Sequence, residues 1–187
     1  RLVARGDLQD PSTYSETYAS TCQRKAVLLL LAIANQQNLE LATADISTAF
    51  LYGVLDEPIY MQLPNGQLVK LLKALYGLKQ AACKFKEHLN GNLTKLDFKC
   101  LETDNSVYYL SDNDGRVVYV TSHVDDLMFI SSSMDNIEYV YQKLSSIYSM
   151  TFDKEAEEYL GYTIVRDRVN KTLKLNQLGT VTKLLTT

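Results

Sequence analysis

Two apolar runs that flank a pair of aspartates constrain this 187-residue chain more than any other feature. Val117–Val120 and Leu127–Ile130 have the composition of β-strands, and Asp125 and Asp126 lie between them. The spacing predicts an antiparallel hairpin with both carboxylates at or beside its turn. Because adjacent like charges repel, the pair is either a solvated acidic turn or a set of ligands for a divalent cation.

A third aspartate, Asp45, has a similar setting far upstream. Residues 39–46 alternate between apolar and polar, which predicts a strand that ends near Asp45. The alternative is that Asp45 caps a short helix that begins at Ser47. If the two strands are neighbours in one sheet, the three carboxylates converge and can hold two cations about 3.5–4 Å apart, a geometry suited to phosphoryl transfer. Oxygen ligands favour Mg²⁺ or Mn²⁺ over zinc, and a structural or calcium-binding acidic loop is the competing interpretation.

Several other classes of site are excluded or disfavoured by what the sequence lacks. The three cysteines are far apart and form no Cys-x-x-Cys pair, which indicates free thiols rather than a zinc site. No Gly-x-x-x-x-Gly-Lys loop occurs, which excludes a P-loop enzyme, and no Gly-x-Ser-x-Gly motif suggests a covalent intermediate. The longest apolar run, Ala26–Ala34, is much shorter than the roughly 20 residues of a membrane span.

Charge is distributed unevenly although the net charge is only −3. Seven lysines and two acids lie between Lys70 and Lys99. A basic stretch of this kind suits a protein that holds phosphates, but it is equally typical of a solvated lysine-rich helix face. Charge alone leaves both interpretations open.

The remaining elements alternate between helices and short strands. Helices are predicted from Ser20 or Thr21 to about Gln37, over much of residues 68–96 with an interruption at Gly77, and over residues 137–149. Short strands joined by hairpin turns fill the intervals, and residues 1–6 are predicted as a strand. We therefore expect an α+β fold with a mainly antiparallel sheet packed on helices.

Six motifs in order resemble one known family. They are Arg1-Leu-Val-Ala-Arg-Gly6, Asp45-Ile-Ser-Thr-Ala-Phe-Leu-Tyr-Gly53, Ile59-Tyr-Met-Gln-Leu-Pro64, Lys73-Ala-Leu-Tyr-Gly-Leu-Lys-Gln80, His123-Val-Asp-Asp126 and Tyr159-Leu-Gly161. Over essentially the whole chain they resemble the reverse transcriptase (RNA-directed DNA polymerase) of copia-type (Pseudoviridae) LTR retrotransposons. The resemblance implies a right-hand polymerase palm with part of the fingers. Residues 1–187 would be a single fragment of a Gag-Pol polyprotein, truncated at both ends.

The resemblance also implies roles for the aspartates. Asp45, Asp125 and Asp126 match the first, second and third catalytic aspartates of the family. They would bind two Mg²⁺ (or Mn²⁺) ions, with the main chain of Ile46 also touching the metal or the triphosphate. The implied reaction is attack of a primer 3′-hydroxyl on the α-phosphate of a dNTP, which forms a phosphodiester bond and releases pyrophosphate.

Four further residues match positions that contact substrate in the family. Phe50 would lie under the incoming sugar and exclude a 2′-hydroxyl, whereas without the resemblance it reads as a core aromatic. Gln80 would abut the nucleotide and template, although by sequence alone it is only a polar helix residue. Lys79 and Arg1 would meet phosphates.

The resemblance implies an RNA template, a DNA primer, dNTPs and other Gag-Pol products (integrase, RNase H and capsid) as partners, and no membrane. It implies a cytoplasmic virus-like particle or the nucleus as the location. The chain departs from the family where His123 replaces a tyrosine and where Ala81-Ala-Cys-Lys-Phe85 replaces a Trp-containing segment. The alternatives are a catalytically inactive transposon remnant and a nucleic-acid-binding module that reuses the palm.

Overall fold

A computed structural model describes residues 2–185, so that Arg1 and its expected phosphate contact lie outside the described residues. The chain divides into two compact units. Arg1–Ser20 with Thr48–Asp97 form what we call the ribbon unit, and Thr21–Ser47 with Phe98–Thr187 form the sheet unit. Helices and mainly antiparallel strands alternate along the chain, which confirms the α+β prediction.

The α-helices described for residues 2–185 are α1 (Arg24–Gln36), α2 (Ala81–Lys95), α3 (Met134–Ser145) and α4 (Leu178–Leu185), and 3-10 helices span Gly6–Leu8, Pro11–Thr13 and Ala49–Tyr52. The strands are β1 (Glu40–Ile46), β2 (Val54–Gln62), β3 (Leu68–Lys73), β4 (Lys99–Leu101), β5 (Asp104–Ser111), β6 (Val117–His123), β7 (Asp126–Ser131), β8 (Met150–Asp153), β9 (Glu158–Tyr159), β10 (Tyr162–Asp167) and β11 (Thr172–Asn176). None of these helices is long and apolar enough to cross a membrane.

The sheet unit is built on six antiparallel strands in the order β4-β5-β6-β7-β1-β8. Strands β4 to β7 follow one another as hairpins, and β1 inserts between β7 and β8. The register of β1 against β7 runs from Glu40 opposite Ser131 to Asp45 opposite Asp126. The strand that carries Asp45 next to its last residue is therefore the neighbour of the strand that begins at Asp126, as the convergence of the carboxylates requires.

Helices α1 and α3 both pack on this sheet. The buried residues of α1, Val27, Leu31 and Ala34, recur at helical spacing, so they form one face. They join a core cluster with residues from β1, β7 and β10. Helix α3 packs on β1, β6 and β7, and Ser133 caps it by accepting a hydrogen bond from the Asp135 N–H.

A second, three-stranded sheet of order β11-β10-β9 completes the sheet unit. The buried hydroxyls of Thr121 on β6 and Tyr159 on β9 lie 2.8 Å apart in a hydrogen bond. The Arg166 guanidinium on β10 donates to the carbonyl of Ala34, in the last turn of α1, and to the carbonyl of Leu39, between α1 and β1. The Ala34 carbonyl, which has no partner within the helix, also accepts from the Leu39 N–H at 2.8 Å.

Helix α1 begins later than the sequence predicts. The Cys22 N–H donates to the Ser122 carbonyl at 3.0 Å, and the Gln23 N–H donates to the Asp104 carboxylate at 2.9 Å. Because both amides are bonded to the strands, they are not part of the helix, which starts at Arg24. Side-chain capping by Ser20 or Thr21 was therefore the wrong expectation.

The ribbon unit contains the β2–β3 hairpin, α2 and an apolar cluster of Ala4, Ile59, Ala74, Leu78 and Ala81. The prediction that Leu68–Lys73 is helical is wrong, because this segment is β3 and pairs with β2. The turn at Gly66, whose φ is +86°, returns the chain alongside β2, and tertiary pairing overrides a leucine spacing that also fits a helix. Residues 2–5 likewise form no strand.

Candidate active site

The β6–β7 hairpin carries the aspartate pair at its tip, as predicted. His123 lies opposite Asp126, so Val124 and Asp125 form a two-residue turn. Val124 has φ +60°, a conformation that β-branched residues rarely adopt. The hairpin is thus strained at the residue immediately before the aspartate pair, and such strain is often found at functional sites.

One row of side chains crosses three neighbouring strands at this end of the sheet. Asp126 on β7 lies directly opposite His123 on β6 and directly opposite Asp45 on β1. Opposed residues of antiparallel strands project from the same face, with Cβ atoms about 4.5–5.5 Å apart. We call these three residues the carboxylate row, and Asp125 lies beside the row in the turn.

Main-chain bonds attach the turn to β1. The Ile46 N–H donates to the Asp125 carbonyl at 3.0 Å, which joins the end of β1 to the hairpin tip. The N–H of Ile46 is thereby engaged, and only its carbonyl oxygen could contact a cation. The alternative that Asp45 caps a helix is wrong for the following 3-10 helix, Ala49–Tyr52, because its N-cap is Thr48 and no side chain caps it.

The carboxylates influence one another's protonation. Desolvation, and then the charge of Asp125, raise the pKa of Asp45. Desolvation, Asp125 and Asp45 all raise the pKa of Asp126, and His123 opposes that rise. The charge of Asp125 therefore disfavours ionisation of both Asp45 and Asp126, and the charge of Asp45 also disfavours ionisation of Asp126.

A divalent cation would relieve this repulsion, and carboxylate oxygens are the ligands that Mg²⁺ and Mn²⁺ prefer. Asp45, Asp125 and Asp126 fit such an ion in donor type and in strand placement. In residues 2–185, however, no three His, Cys, Asp or Glu side chains are gathered tightly enough to form a metal cluster. Binding would thus require the side chains on these opposed positions to turn towards a common point.

His123, which replaces the tyrosine of the family, is half-buried at the end of the row. Its Nδ1 is buried and has no hydrogen-bond partner within the described part of the chain. A buried nitrogen without a hydrogen bond raises the free energy of the folded state. The His123 imidazole is therefore a second destabilising feature of this hairpin tip, beside the positive φ of Val124.

Phe50 belongs to the ribbon unit, on the 3-10 helix Ala49–Tyr52. It is half-buried and packs against the apolar cluster of that unit, consistent with the core-aromatic alternative for its sequence. Its ring centroid lies 4.4 Å from that of Tyr76, with the planes tilted by 44°. The ring is therefore partly accessible and is supported on one side by a second aromatic ring.

Gln80, at the start of α2, is 4% exposed and hydrogen-bonded at both ends of its amide. Its Oε1 accepts from Gln9 Nε2 at 2.9 Å, and its Nε2 donates to the Thr13 carbonyl at 3.1 Å. Gln9 also accepts from the Lys79 N–H at 3.0 Å. We call Gln9, Thr13 and Gln80 the glutamine network.

Lys79 itself is exposed, which leaves its ammonium group free for solvent or phosphate. A hydrogen bond from Arg5, and to a smaller extent the charge of Lys79, lower the pKa of Asp7 to about 2. The Lys79 side chain thus lies on a surface that carries both acidic and basic groups.

Sequence reasoning missed Gln9 and the Phe50–Tyr76 ring pair. Tyr76 lies within the motif Lys73–Gln80, which is the only sequence feature that could have pointed to it. No sequence feature pointed to Gln9. Both depend on contacts between residues distant along the chain, such as the 71-residue separation of Gln9 and Gln80.

The chain is similar to several known proteins. The chain is 38% identical over 101 residues to the Transposon Ty1-BL Gag-Pol polyprotein of Saccharomyces cerevisiae, a match that covers 51% of this chain and 6% of the relative. The Ty1-DR5 Gag-Pol polyprotein of the same yeast gives the same identity and coverage. The chain thus spans a small part of the length of these relatives.

Among solved structures, the chain is similar to apo telomerase from Candida tropicalis truncated from its C-terminal domain. The match covers 84% of this chain and 41% of the telomerase chain, with a TM-score of 0.47 and 10% identity.

One family match covers almost the whole chain. A profile of the family described as reverse transcriptase (RNA-dependent DNA polymerase) matches residues 1–186. Together with the Ty1 relatives, this match confirms the resemblance that the six motifs indicated. The chain therefore belongs to the reverse transcriptase (RNA-dependent DNA polymerase) family.

Proposed function

We propose that this chain carries the catalytic centre of a retrotransposon polymerase that extends a DNA primer on an RNA template. The observation that carries the proposal is the carboxylate row, in which Asp45 and Asp126 lie opposite each other on neighbouring strands with Asp125 in the adjoining turn. Family membership supplies the reaction type, and the row supplies the residues. In this proposal the sheet unit corresponds to the polymerase palm.

Asp45, Asp125 and Asp126 would hold two Mg²⁺ or Mn²⁺ ions, with the Ile46 carbonyl as an additional oxygen ligand. When bound, such ions neutralise the charge that develops on the transferring phosphate. The protein's own contribution is positioning: β1 and β7 fix the spacing of the carboxylates, and the Ile46–Asp125 bond fixes the turn. Phosphoryl transfer needs little more, because catalysis of this reaction is mostly placement and charge neutralisation.

Residues of the ribbon unit would bind the nucleotide. Phe50 would lie under the sugar and reject a 2′-hydroxyl by steric overlap, and the exposed Lys79 would contact phosphate. Gln80 would serve mainly by fixing the N-terminal segment at the start of α2, because its amide is occupied by Gln9 and Thr13. A direct contact with nucleotide would use the remaining amide hydrogen or oxygen lone pair.

The same proposal extends to partners and location. RNA template, DNA primer and dNTPs would be the substrates, and integrase, RNase H and capsid would be produced from the same polyprotein. Activity would take place in a cytoplasmic virus-like particle, with the nucleus as a later location. We propose residues 1–187 as one palm-and-fingers fragment of that polyprotein.

Primer extension on an RNA template with Mg²⁺ or Mn²⁺ tests the proposal directly. The chain would be compared with Asp125→Asn and with Asp114→Asn, a matched loss of charge in the turn at the opposite end of β6. We expect Asp125→Asn to lower incorporation by about a thousandfold, because the ions it helps to hold contribute several kcal/mol. Asp114→Asn should extend normally.

Circular dichroism would establish that all three proteins are folded. Equal incorporation by Asp125→Asn and the parent would remove Asp125 from the site. A folded parent that extends no primer, alone or with its flanking reading frame restored, would favour a catalytically inactive remnant. RNA binding that persists in an inactive Asp45→Asn/Asp125→Asn protein would favour a nucleic-acid-binding module.

A further inference from the structure

We propose that Tyr76 is a positioning residue that holds the Phe50 ring in place and so sets the preference for deoxynucleotides over ribonucleotides. The inference rests on the proposed role of Phe50 in nucleotide binding. It follows from three features of the ribbon unit: the contact between the two rings, the rigid attachment of Tyr76, and the weak attachment of Phe50.

The two rings form a tilted aromatic pair. Their centroids are 4.4 Å apart and their planes meet at 44°, within the range in which aromatic pairs attract each other beyond simple burial. Both residues are half-buried, and Phe50 also packs against the apolar cluster. Tyr76 therefore restricts the orientation of a ring that also packs against the apolar cluster and remains partly exposed.

Tyr76 is held by a main-chain interlock with the N-terminal segment. The Ala4 N–H donates to the Tyr76 carbonyl at 2.7 Å. Gly77 has φ +97°, and a Cβ on it would overlap the Ala4 carbonyl oxygen, while a Cβ on Gly6 would overlap the Gly77 carbonyl oxygen. Only glycine fits at either position without displacing backbone, so the Tyr76–Gly77 peptide is fixed between residues 4 and 6.

Phe50 has a less rigid support. It lies on a four-residue 3-10 helix that follows Thr48 at φ +54°, and short 3-10 helices have poorer hydrogen-bond geometry than α-helices. A ring that excludes a single hydroxyl must be held to within about 0.5 Å. The helix fixes the Cα of Phe50, and the Tyr76 ring fixes the direction of its side chain.

Tyr52 provides a matched control within the same unit. It lies on the same 3-10 helix as Phe50, and its ring stacks with that of His88 at 6.1 Å. Tyr52→Leu therefore removes an aromatic ring of equal size from the same short helix without removing the Phe50–Tyr76 pair.

The test measures kcat/KM for dATP and ATP, which differ only in the 2′-hydroxyl, in the parent and in Tyr76→Leu, Tyr76→Phe, Tyr52→Leu and Phe50→Ala. We expect Tyr76→Leu to lower the dATP/ATP ratio roughly 2- to 10-fold, the factor that corresponds to an aromatic pair. Tyr76→Phe keeps the ring and should keep the ratio, as should Tyr52→Leu. In the Phe50→Ala background, Tyr76→Leu should change the ratio no further.

A purely structural role for Tyr76 would lower the use of both nucleotides equally and leave the ratio unchanged, which would overturn the inference. If Phe50→Ala lowers the ratio and Tyr76→Leu does not, the role of Phe50 survives and that of Tyr76 is refuted. If Phe50→Ala leaves the ratio unchanged, the proposed role of Phe50 fails and the inference fails with it. The ratio of equilibrium affinities for dATP and ATP gives the same comparison without requiring turnover.

Discussion

The aspartates of the carboxylate row in the sheet unit lie among like charges, whereas the polar side chains of the glutamine network in the ribbon unit are hydrogen-bonded to one another. Desolvation and like charges raise the pKa of both Asp45 and Asp126, so their ionised forms are held at a cost. In residues 2–185 no salt bridge reaches either carboxylate. Gln80, in contrast, is buried with both ends of its amide hydrogen-bonded.

This difference indicates that the carboxylate row is a functional site and that the glutamine network is structural. Groups whose protonation is perturbed by their surroundings are typical of functional sites, whereas fully bonded buried amides stabilise a fold. Substitutions in the row should therefore remove activity while sparing or improving stability. Substitutions in the network should act first on stability.

The largest expected effect is on activity, from the substitution Asp45→Asn. Incorporation should fall by about a thousandfold, because the substitution removes one charge from the set that would hold the ions. The melting temperature should not fall, since one source of repulsion is lost. Asp153→Asn is the control, because that carboxylate accepts main-chain N–H groups of Glu155 and Glu157 and should affect stability alone. A stable Asp45→Asn protein with parental activity would contradict the comparison.

Gln80→Leu should have the next largest effect, on stability. It removes the hydrogen bonds that Gln80 makes with the Gln9 amide and the Thr13 carbonyl, at a cost of about 1–3 kcal/mol in the free energy of unfolding. Urea denaturation measures this loss. Gln67→Leu, at an exposed position of the β2–β3 turn, should change stability by less than about 0.5 kcal/mol. Equal values for the two variants would mean that the glutamine network is not structural.

Val124→Gly tests whether strain is stored beside the row. Glycine adopts φ +60° freely, so the substitution should raise the free energy of unfolding by about 0.5–1 kcal/mol after its own entropic cost. Val117→Gly, at a regular position on β6, should instead lower it. If chemical denaturation shows both variants to be destabilised, the turn is not strained in the way that its φ angle indicates.

The smallest expected effect is on the pH dependence of stability. The folded protein holds protons on Asp45 and Asp126 more tightly than the unfolded chain, because their folded pKa values lie above the ordinary aspartate value of 3.8. Their contribution to stability is therefore present in full below the unfolded pKa and is lost as the pH rises through the folded values. Asp45→Asn/Asp126→Asn should be more stable than the parent at pH 7, and this advantage should shrink as the pH falls towards 3.8.

Mg²⁺ provides the matching measurement for that pair of proteins. It should raise the melting temperature of the parent at pH 7, since a ligand that binds only the folded state stabilises it. The doubly substituted protein should not respond. An equal response in both proteins would place the cation elsewhere, and a stability difference that does not vary with pH would show that the two aspartates are not coupled to folding.

The sequence was sufficient to predict the elements around the aspartates but not every element of the fold. The β6–β7 hairpin was predictable because two β-prone runs flank a short acidic turn. The β3 strand was not, because Leu68–Lys73 has a spacing that fits a helix as well, and pairing with β2 decided the outcome. Propensity is a weak guide wherever a partner strand is available.

The site residues divide in the same way. Asp45, Asp125 and Asp126 could be found because their residue type is unusual at strand ends. The network of Gln9 with Gln80 and the pair of Phe50 with Tyr76 could not, because they depend on contacts that only the folded chain creates. Spacing along the sequence says nothing about which buried side chains become neighbours.

The insertion of β1 between β7 and β8 has a consequence for how the protein is made. Asp45 and its strand partner Asp126 are separated by about 80 residues, which take roughly 4–16 s to synthesise at 5–20 residues per second. Strands β4 to β7 are consecutive hairpins and need only local contacts, whereas β1 must close a long loop. We expect β1 to join last, so that its amides gain protection in pulsed hydrogen exchange after those of β6. Earlier protection of β1 would refute this order. A chain that folds in this sequence acquires its hairpins before it acquires its three aspartates as a group.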